Sequence, residues 1–320
     1  MPQLIQRILK LAPEYRERVW GGQRLKAANP PIGEAWIAYG PSVVADGAAA
    51  GRTVDQLIAE DAAFVLGSDA AARYGTRFPL LIKLLDCKDW LSVQVHPNDE
   101  QARRLVGPNE FGKTEAWYFL ETEPGARILA GVRAGTSRDE LVAALRGGTI
   151  RDVAETIAVH GGEALLIPAG TLHALGPGLL LYEIQQASDT TYRAYDWDRP
   201  ATAGRKLHIE ESVEVTTTDP ACDLARPRIS TPTGAARAVE SAYFELDLVR
   251  VSAGSPLAAD TRGRAFHIVS VVDGAVEIRA GEEVAQLDCF ETAIVVGAAG
   301  GYSISASQGS AQLLRATVPD

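Results

Sequence analysis

The sequence predicts a mainly β fold in two domains, with a few helices inserted in or packed on the first. Three observations carry this expectation. Most of the chain falls into short β-branched and aliphatic runs bounded by Gly, Pro and polar turns. Helical periodicity is confined to a few stretches in the first half. After Pro220 the runs shorten and Gly and Ala fill the gaps, the pattern of an all-β sandwich or barrel. That change sets a boundary near residue 220 and gives domains 1–220 and 221–320.

The first helical stretch is 53–74, Ala-rich and with a break expected near Gly67. Strands at 79–85 and 91–95 flank Asp86-Cys-Lys-Asp89, a hairpin-like spacing. A short helix starts near Asn98, just after Pro97. Strands follow at 115–121 and 126–132. Ser137 then opens a second capped helix, because Glu140 stands three residues on as in a capping box. Its apolar stripe of Leu141, Val142 and Leu145 stops at Gly147-Gly148. Further strands are expected at 164–168 and 179–186, and in the second domain at 243–251, 266–272, 275–279, 292–296 and 302–306.

The 320 residues carry 46% hydrophobic and 22% charged side chains, enough for packed cores. The net charge of −10 and the lack of a basic run argue against a nucleic-acid partner. An anionic substrate would therefore need Lys or Arg gathered locally. The N-terminal stretch is too charged for a signal peptide and no segment approaches a membrane span, so no membrane partner is expected. The three cysteines, Cys87, Cys222 and Cys289, form no CxxC pair, which points to a reducing, cytoplasmic setting.

Chemistry concentrates in three stretches. In Leu91-Ser-Val-Gln-Val-His-Pro97, strand alternation gives Ser92, Gln94 and His96 one face and Val93 and Val95 the other. In Lys113-Thr-Glu115-Ala-Trp117, Lys113, Glu115 and Trp117 share a face. In Gly162-Glu-Ala-Leu-Leu-Ile-Pro168-Ala-Gly170-Thr-Leu-His173, a strand ends at Pro168, Gly170 permits a tight turn, and His173 returns. Two imidazoles and a carboxylate suit zinc with an open position, and the same donors suit Mn, Fe or Co. The competing reading is a polar-lined barrel whose histidines are satisfied within the protein. His160, His208 and His267 read as structural.

The Gly162, Pro168, Gly170, His173 spacing looks like the second cupin motif. More of the chain resembles class I mannose-6-phosphate isomerase in its short bacterial form. The stretches that carry the resemblance are Val19-Trp-Gly-Gly22, Gly33-Glu-Ala-Trp36, Phe78-Pro-Leu-Leu-Ile-Lys83, Lys88-Asp-Trp-Leu-Ser-Val-Gln-Val-His-Pro97, Gly112-Lys-Thr-Glu-Ala-Trp-Tyr118, Ile167-Pro-Ala-Gly-Thr-Leu-His-Ala174 and Glu183-Ile-Gln-Gln-Ala-Ser-Asp-Thr-Thr-Tyr-Arg193. They occur in family order. Tyr39 departs from the family, which often has Ser there, and the C-terminal hundred residues match only loosely.

The resemblance implies two cupin-like jelly-roll β-barrels, the first binding metal and the second degenerate and structural. It implies one Zn2+ per chain on His96, Glu115 and His173, with Gln94 as a fourth ligand or neighbour. It implies that Ser92, Lys113 and Arg193 hold substrate, that Arg193 is catalytic, and that Glu183 and Asp189 are acidic positions in proton transfer. The implied reaction interconverts mannose 6-phosphate and fructose 6-phosphate through an enediolate. That chemistry needs a base near the carbon, donors at both oxygens and positive charge beside the oxyanion. The base stays a choice among Glu183, Asp189 and Lys113. The sequence leaves the oligomeric state open, with a monomer favoured. Two other readings are a cupin metal oxygenase and a non-catalytic sugar-binding paralogue.

Overall fold

The computed structural model describes residues 6–200 and 206–319. The chain divides into two compact units, one of Met1–Glu14, Trp36–Lys83 and Arg226–Asp320, the other of Tyr15–Ala35 and Leu84–Ala225.

The first unit is built on a six-stranded sheet in the order Ile8–Leu11, Thr292–Val295, His267–Asp273, Ser310–Thr317, Glu245–Ser252, Gly234–Glu240. A four-stranded sheet in the order Leu257–Asp260, Gly301–Ala306, Val276–Ala280, Glu283–Leu287 completes its β structure. Phe244, Leu246, Val249, Phe266, Ile268 and Ile278 are fully buried there. The helical stretch forms as three short helices, Val54–Glu60, Ala62–Leu66 and Ser68–Tyr74. Gly67 breaks it as expected. A second break falls at Asp61, which ends the first helix and caps the next by accepting the Phe64 N–H. A short acidic side chain that satisfies an exposed helix terminus costs little there, so the interruption is tolerated.

Two further sheets carry the strands of the second unit, and Glu14, residues 36–38 and residues 80–83 of those strands count with the first unit in that division. One has six strands in the order Glu14–Gly22, Ile32–Ala38, Leu80–Cys87, Leu179–Gln186, Glu115–Thr122, Ala164–Ile167. The other has five, Tyr192–Tyr195, Val93–Val95, His173–Leu175, Arg127–Val132, Ala154–Ala158. Trp117, Phe119, Leu165, Ile167, Leu179 and Leu181 of the first share one buried cluster with Ile128, Ala130 and Leu175 of the second, so the two sheets face each other. The far side of the five-stranded sheet packs through Val93, Val95, Ala174 and Ala194 on Leu141, Leu145 and Val215. These last three come from the helices Arg138–Gly147 and Ile209–Val215. The Ser137–Glu140 capping box forms, and Gly148 ends the first of these helices in the left-handed conformation. The Asn98 helix forms as Asp99–Leu105.

The expectation of closed β-barrels is corrected by the strand pairing. The described strands form four open sheets; in one of them the end strand Glu14–Gly22 also meets Leu80–Cys87 through Gly21 and Cys87. Alternating hydrophobicity says that a strand is half-buried; it does not say whether the outermost strands pair with each other or stop. Here they stop, and charge marks at least one edge: Glu14–Gly22 carries Glu14, Arg16, Glu17 and Arg18 on an exposed or half-exposed run. That composition also hid this strand from the hydrophobic pattern. Among the described residues, no helix is long and apolar enough to cross a membrane.

Gly67 gives the first test. Its φ of +92° is paired with extended ψ, a region open essentially only to glycine, and a Cβ there would stand 2.3 Å from the Arg264 carbonyl oxygen. Gly67→Ala should lower the unfolding free energy by about 2 kcal/mol or more in urea denaturation. An unchanged midpoint would contradict this close approach.

Candidate metal centre

Strand register brings the candidate residues together. His173 pairs with Gln94, and Gln94 with Arg193 on its other side. Directly opposed residues of antiparallel strands project to the same face, so Arg193, Gln94 and His173 form one row. That face is opposite the one packed on helices, since alternation sends Val93, Val95 and Ala174 the other way. On the facing sheet Glu115 pairs with Gln185 and with Ile167, and Trp117 pairs with Glu183. The sheets meet where the Trp117 and His173 rings lie edge to face, 5.5 Å between centroids.

His96, Glu115 and His173 offer ligand atoms that all lie within 4.8 Å of one another. His96 is held by its Nδ1, 2.9 Å from the Thr190 carbonyl, and His173 by its Nδ1, 2.8 Å from the Thr171 carbonyl. A carbonyl oxygen only accepts, so each Nδ1 carries the proton and each Nε2 presents a lone pair. Those two Nε2 atoms lie 3.4 Å from Glu115 Oε2 and 3.3 Å from Glu115 Oε1. All three residues are at most 1% exposed. Gly170, at φ +87°, makes the turn that returns the chain to His173, and its N–H donates to the His96 carbonyl at 2.9 Å.

Lys113 Nζ stands 3.1 Å from His96 Nε2 and 3.0 Å from Glu115 Oε2. Burial pushes the Glu115 carboxyl upward, but the Lys113 ammonium beside it outweighs this and holds it well below the usual carboxylate range. Burial, aided by Lys113, pushes His96 down to about 3, and burial lowers His173 as well. The cluster is thus an ionised carboxylate facing two neutral imidazoles. Within it, Glu115 Oε2 and His173 Nε2 are buried and make no hydrogen bond of proper geometry. His173 Nε2 faces Glu115 Oε1 and His96 Nε2 faces Glu115 Oε2, and acceptors facing acceptors in a dry site are costly unless a cation lies between them. The donor set fits a divalent metal ion.

The other candidates surround this cluster at different depths. Ser92 is buried and Gln94 half-buried. Glu183 is buried and accepts the Trp117 Nε1–H at 3.1 Å. Arg193 is half-buried, and its Nη1 donates to the Lys206 carbonyl at 3.0 Å. Asp189 is exposed, one residue before the carbonyl that holds His96. Thr171 and Thr190 anchor the imidazoles through backbone oxygens, which leave no residue-type signal in the sequence. Asp99 and Gln186 likewise stand outside the candidate set that the sequence yields. Asp99 Oδ1 accepts the Gly112 N–H at 2.7 Å and a Gln186 side-chain N–H at 3.0 Å, while Gln186 Oε1 accepts the Thr114 N–H at 2.9 Å. Together they fix the backbone on both sides of Lys113.

Comparison with known proteins agrees with this geometry. The family model of the type I phosphomannose isomerase catalytic domain matches residues 8–115. The chain is 39% identical over 236 residues to a mannose-6-phosphate isomerase of Streptococcus mutans, covering 70% of each protein. In three dimensions it matches the mannose 6-phosphate isomerase of Bacillus subtilis with a TM-score of 0.83 at 30% identity, over 97% of this chain and 99% of that one. A zinc-bound mannose 6-phosphate isomerase shares the fold at a TM-score of 0.74 and 16% identity, over 98% of this chain and all (100%) of that one. The length and identity of these matches, added to the buried His–Glu–His cluster, show that the chain belongs to the class I mannose-6-phosphate isomerases.

Proposed function

We propose that this chain interconverts mannose 6-phosphate and fructose 6-phosphate with one zinc ion bound by His96, Glu115 and His173. The observation that carries the reading is the buried cluster of two neutral imidazoles and an ionised carboxylate, with acceptors left unsatisfied, in a member of this family. The zinc-bound relative of the same fold supports the choice of metal. When bound, a divalent ion in this position supplies Lewis acidity and orientation for the sugar oxygens. Gln94 lies beside His173 in register and is proposed as a further ligand or a contact of the sugar.

The chain's own residues divide the remaining work. Aldose–ketose isomerisation moves a proton from C2 to C1, and its costly species is an enediolate. Lys113 contributes a fixed positive charge beside the ligands, which lowers the cost of the oxyanion. Arg193 brings a planar, permanently charged guanidinium on the strand next to Gln94, suited to the phosphate or the enediolate. Ser92, buried near the start of the Gln94 strand, is proposed to donate to a sugar hydroxyl. Glu183 is the favoured proton carrier. It is buried, and its partner Trp117 also packs on His173. Asp189 is exposed, where water competes for it. Lys113 is engaged as a cation with Glu115.

A coupled assay on mannose 6-phosphate should show isomerisation that a chelator abolishes and added zinc restores. His173→Ala should lose bound metal and activity together. Activity that survives complete removal of metal, or iron-dependent oxygen uptake without isomerisation, would overturn the reading. Arg193→Ala should retain its metal and lose turnover, and full turnover in that variant would discard the role given to Arg193. Glu183→Gln should keep metal and lose about 100-fold or more in kcat. A loss of less than about tenfold would move the proton carrier to another residue.

A further inference from the structure

The strand that carries Arg193, Tyr192–Tyr195, is the edge of its sheet. An edge strand leaves alternate backbone N–H and C=O groups without a ladder partner, and half-buried groups of this kind need one. Arg193 is such a residue, and the register slips between it and Tyr195. Its N–H donates to His208 Nδ1 at 3.2 Å, and its carbonyl accepts the His208 N–H at 2.8 Å. His208 therefore does for one residue what a neighbouring strand would do, using its ring for one bond and its backbone for the other. The Tyr192 ring packs beside the imidazole, 6.0 Å between centroids. Lys206, two residues before His208, supplies its carbonyl to the Arg193 guanidinium, so backbone and side chain of Arg193 are held by the same segment.

We infer that His208 is the positioning residue for Arg193, clamping its backbone at two points and setting where its guanidinium can reach. The inference rests on the proposed role of Arg193. It has a chemical condition. An amide N–H needs a lone pair, so Nδ1 must be unprotonated and the ring neutral with its proton on Nε2. Protonation would set N–H against N–H and break the ring half of the clamp, leaving the backbone bond alone. The groups facing the ring are Arg193 and Tyr192 from the strand, Lys206 before it, and Glu211 from its own helix. Burial, opposed by Glu211 and reinforced by Arg193 and Lys206, moves His208 below the ordinary histidine range. Both bonds are thus intact at neutral pH and the ring bond is lost as pH falls through the lowered pKa, so its contribution to turnover is lost on the acid side.

The test uses full-length, metal-loaded enzyme. His208→Ala should keep its metal and lose about 10- to 100-fold in kcat, the cost of a small displacement of a positioned group. His208→Asn puts Oδ1 near the place of Nδ1 and cannot be protonated. It should recover most of the kcat and flatten the acid limb of the pH profile. In the wild-type enzyme, 15N NMR of the ring should find the Nε2–H tautomer. Wild-type kcat in His208→Ala, equal impairment of a metal-loaded His208→Asn, or an Nδ1–H tautomer would each overturn the inference. Arg193→Ala measured in parallel separates the two levels. If it is inactive while His208→Ala is fully active, only the clamp falls. If it is fully active, the role of Arg193 fails and the clamp falls with it.

Discussion

The burial of the Glu115 carboxylate between two imidazoles and an ammonium is the constraint on which the rest of the site depends. Removing a carboxylate from water costs several kcal/mol unless neighbouring charge and hydrogen bonds replace its hydration. Lys113 replaces part of it at 3.0 Å. The imidazoles cannot replace the remainder, because burial keeps them neutral and their Nδ1 protons are committed to Thr171 and Thr190. The outcome is a carboxylate and two lone pairs converging on a small dry volume. Hydrophobic packing does not relieve that arrangement, and a divalent cation does.

The architecture exists to hold those donors still. His173 and Gln94 come from the middle of the five-stranded sheet, and Glu115 from within the sheet that faces it. Helices cover the outer face of the first sheet through Val93, Val95 and Ala174. Any rotation of the strand that carries Gln94 would then expose apolar surface. Trp117 joins the two layers by packing on His173 and donating to Glu183, so the metal ligands and the favoured proton carrier share one rigid neighbour. Arg193 is the exception, since its strand is an edge and takes its fixation from His208 and Lys206.

Much of the site was legible in the sequence, for a definite reason. The alternation in Ser92-Val-Gln94-Val-His96 is the reverse of a plain core strand, and only a face that binds something polar makes it stable. The turn from Pro168 through Gly170 to His173 was legible because it demands a positive φ. The spacing of these stretches did not show that they meet; the ordered resemblance from residue 19 to 193 suggested it, and the strand register supplies the contact. Backbone partners such as Thr190, and the ring of His208, were not legible, because their roles follow from where a strand ends. Barrel closure was expected and the described strands form open sheets instead, since the same hydrophobic alternation serves a closed sheet and an open one. Charged or short strands such as Glu14–Gly22 and Glu283–Leu287 also escaped, their half-exposed faces erasing the pattern.

Two imidazoles and an oxygen donor of this cluster are the proposed holders of one divalent ion. X-ray absorption at the zinc edge of the zinc-loaded enzyme reads that ligand set directly. The spectrum should show two imidazole-type scatterers, oxygen in the remaining positions and no sulfur, at one zinc per chain. Sulfur ligation, or a shell of oxygen alone, would contradict this ligand set.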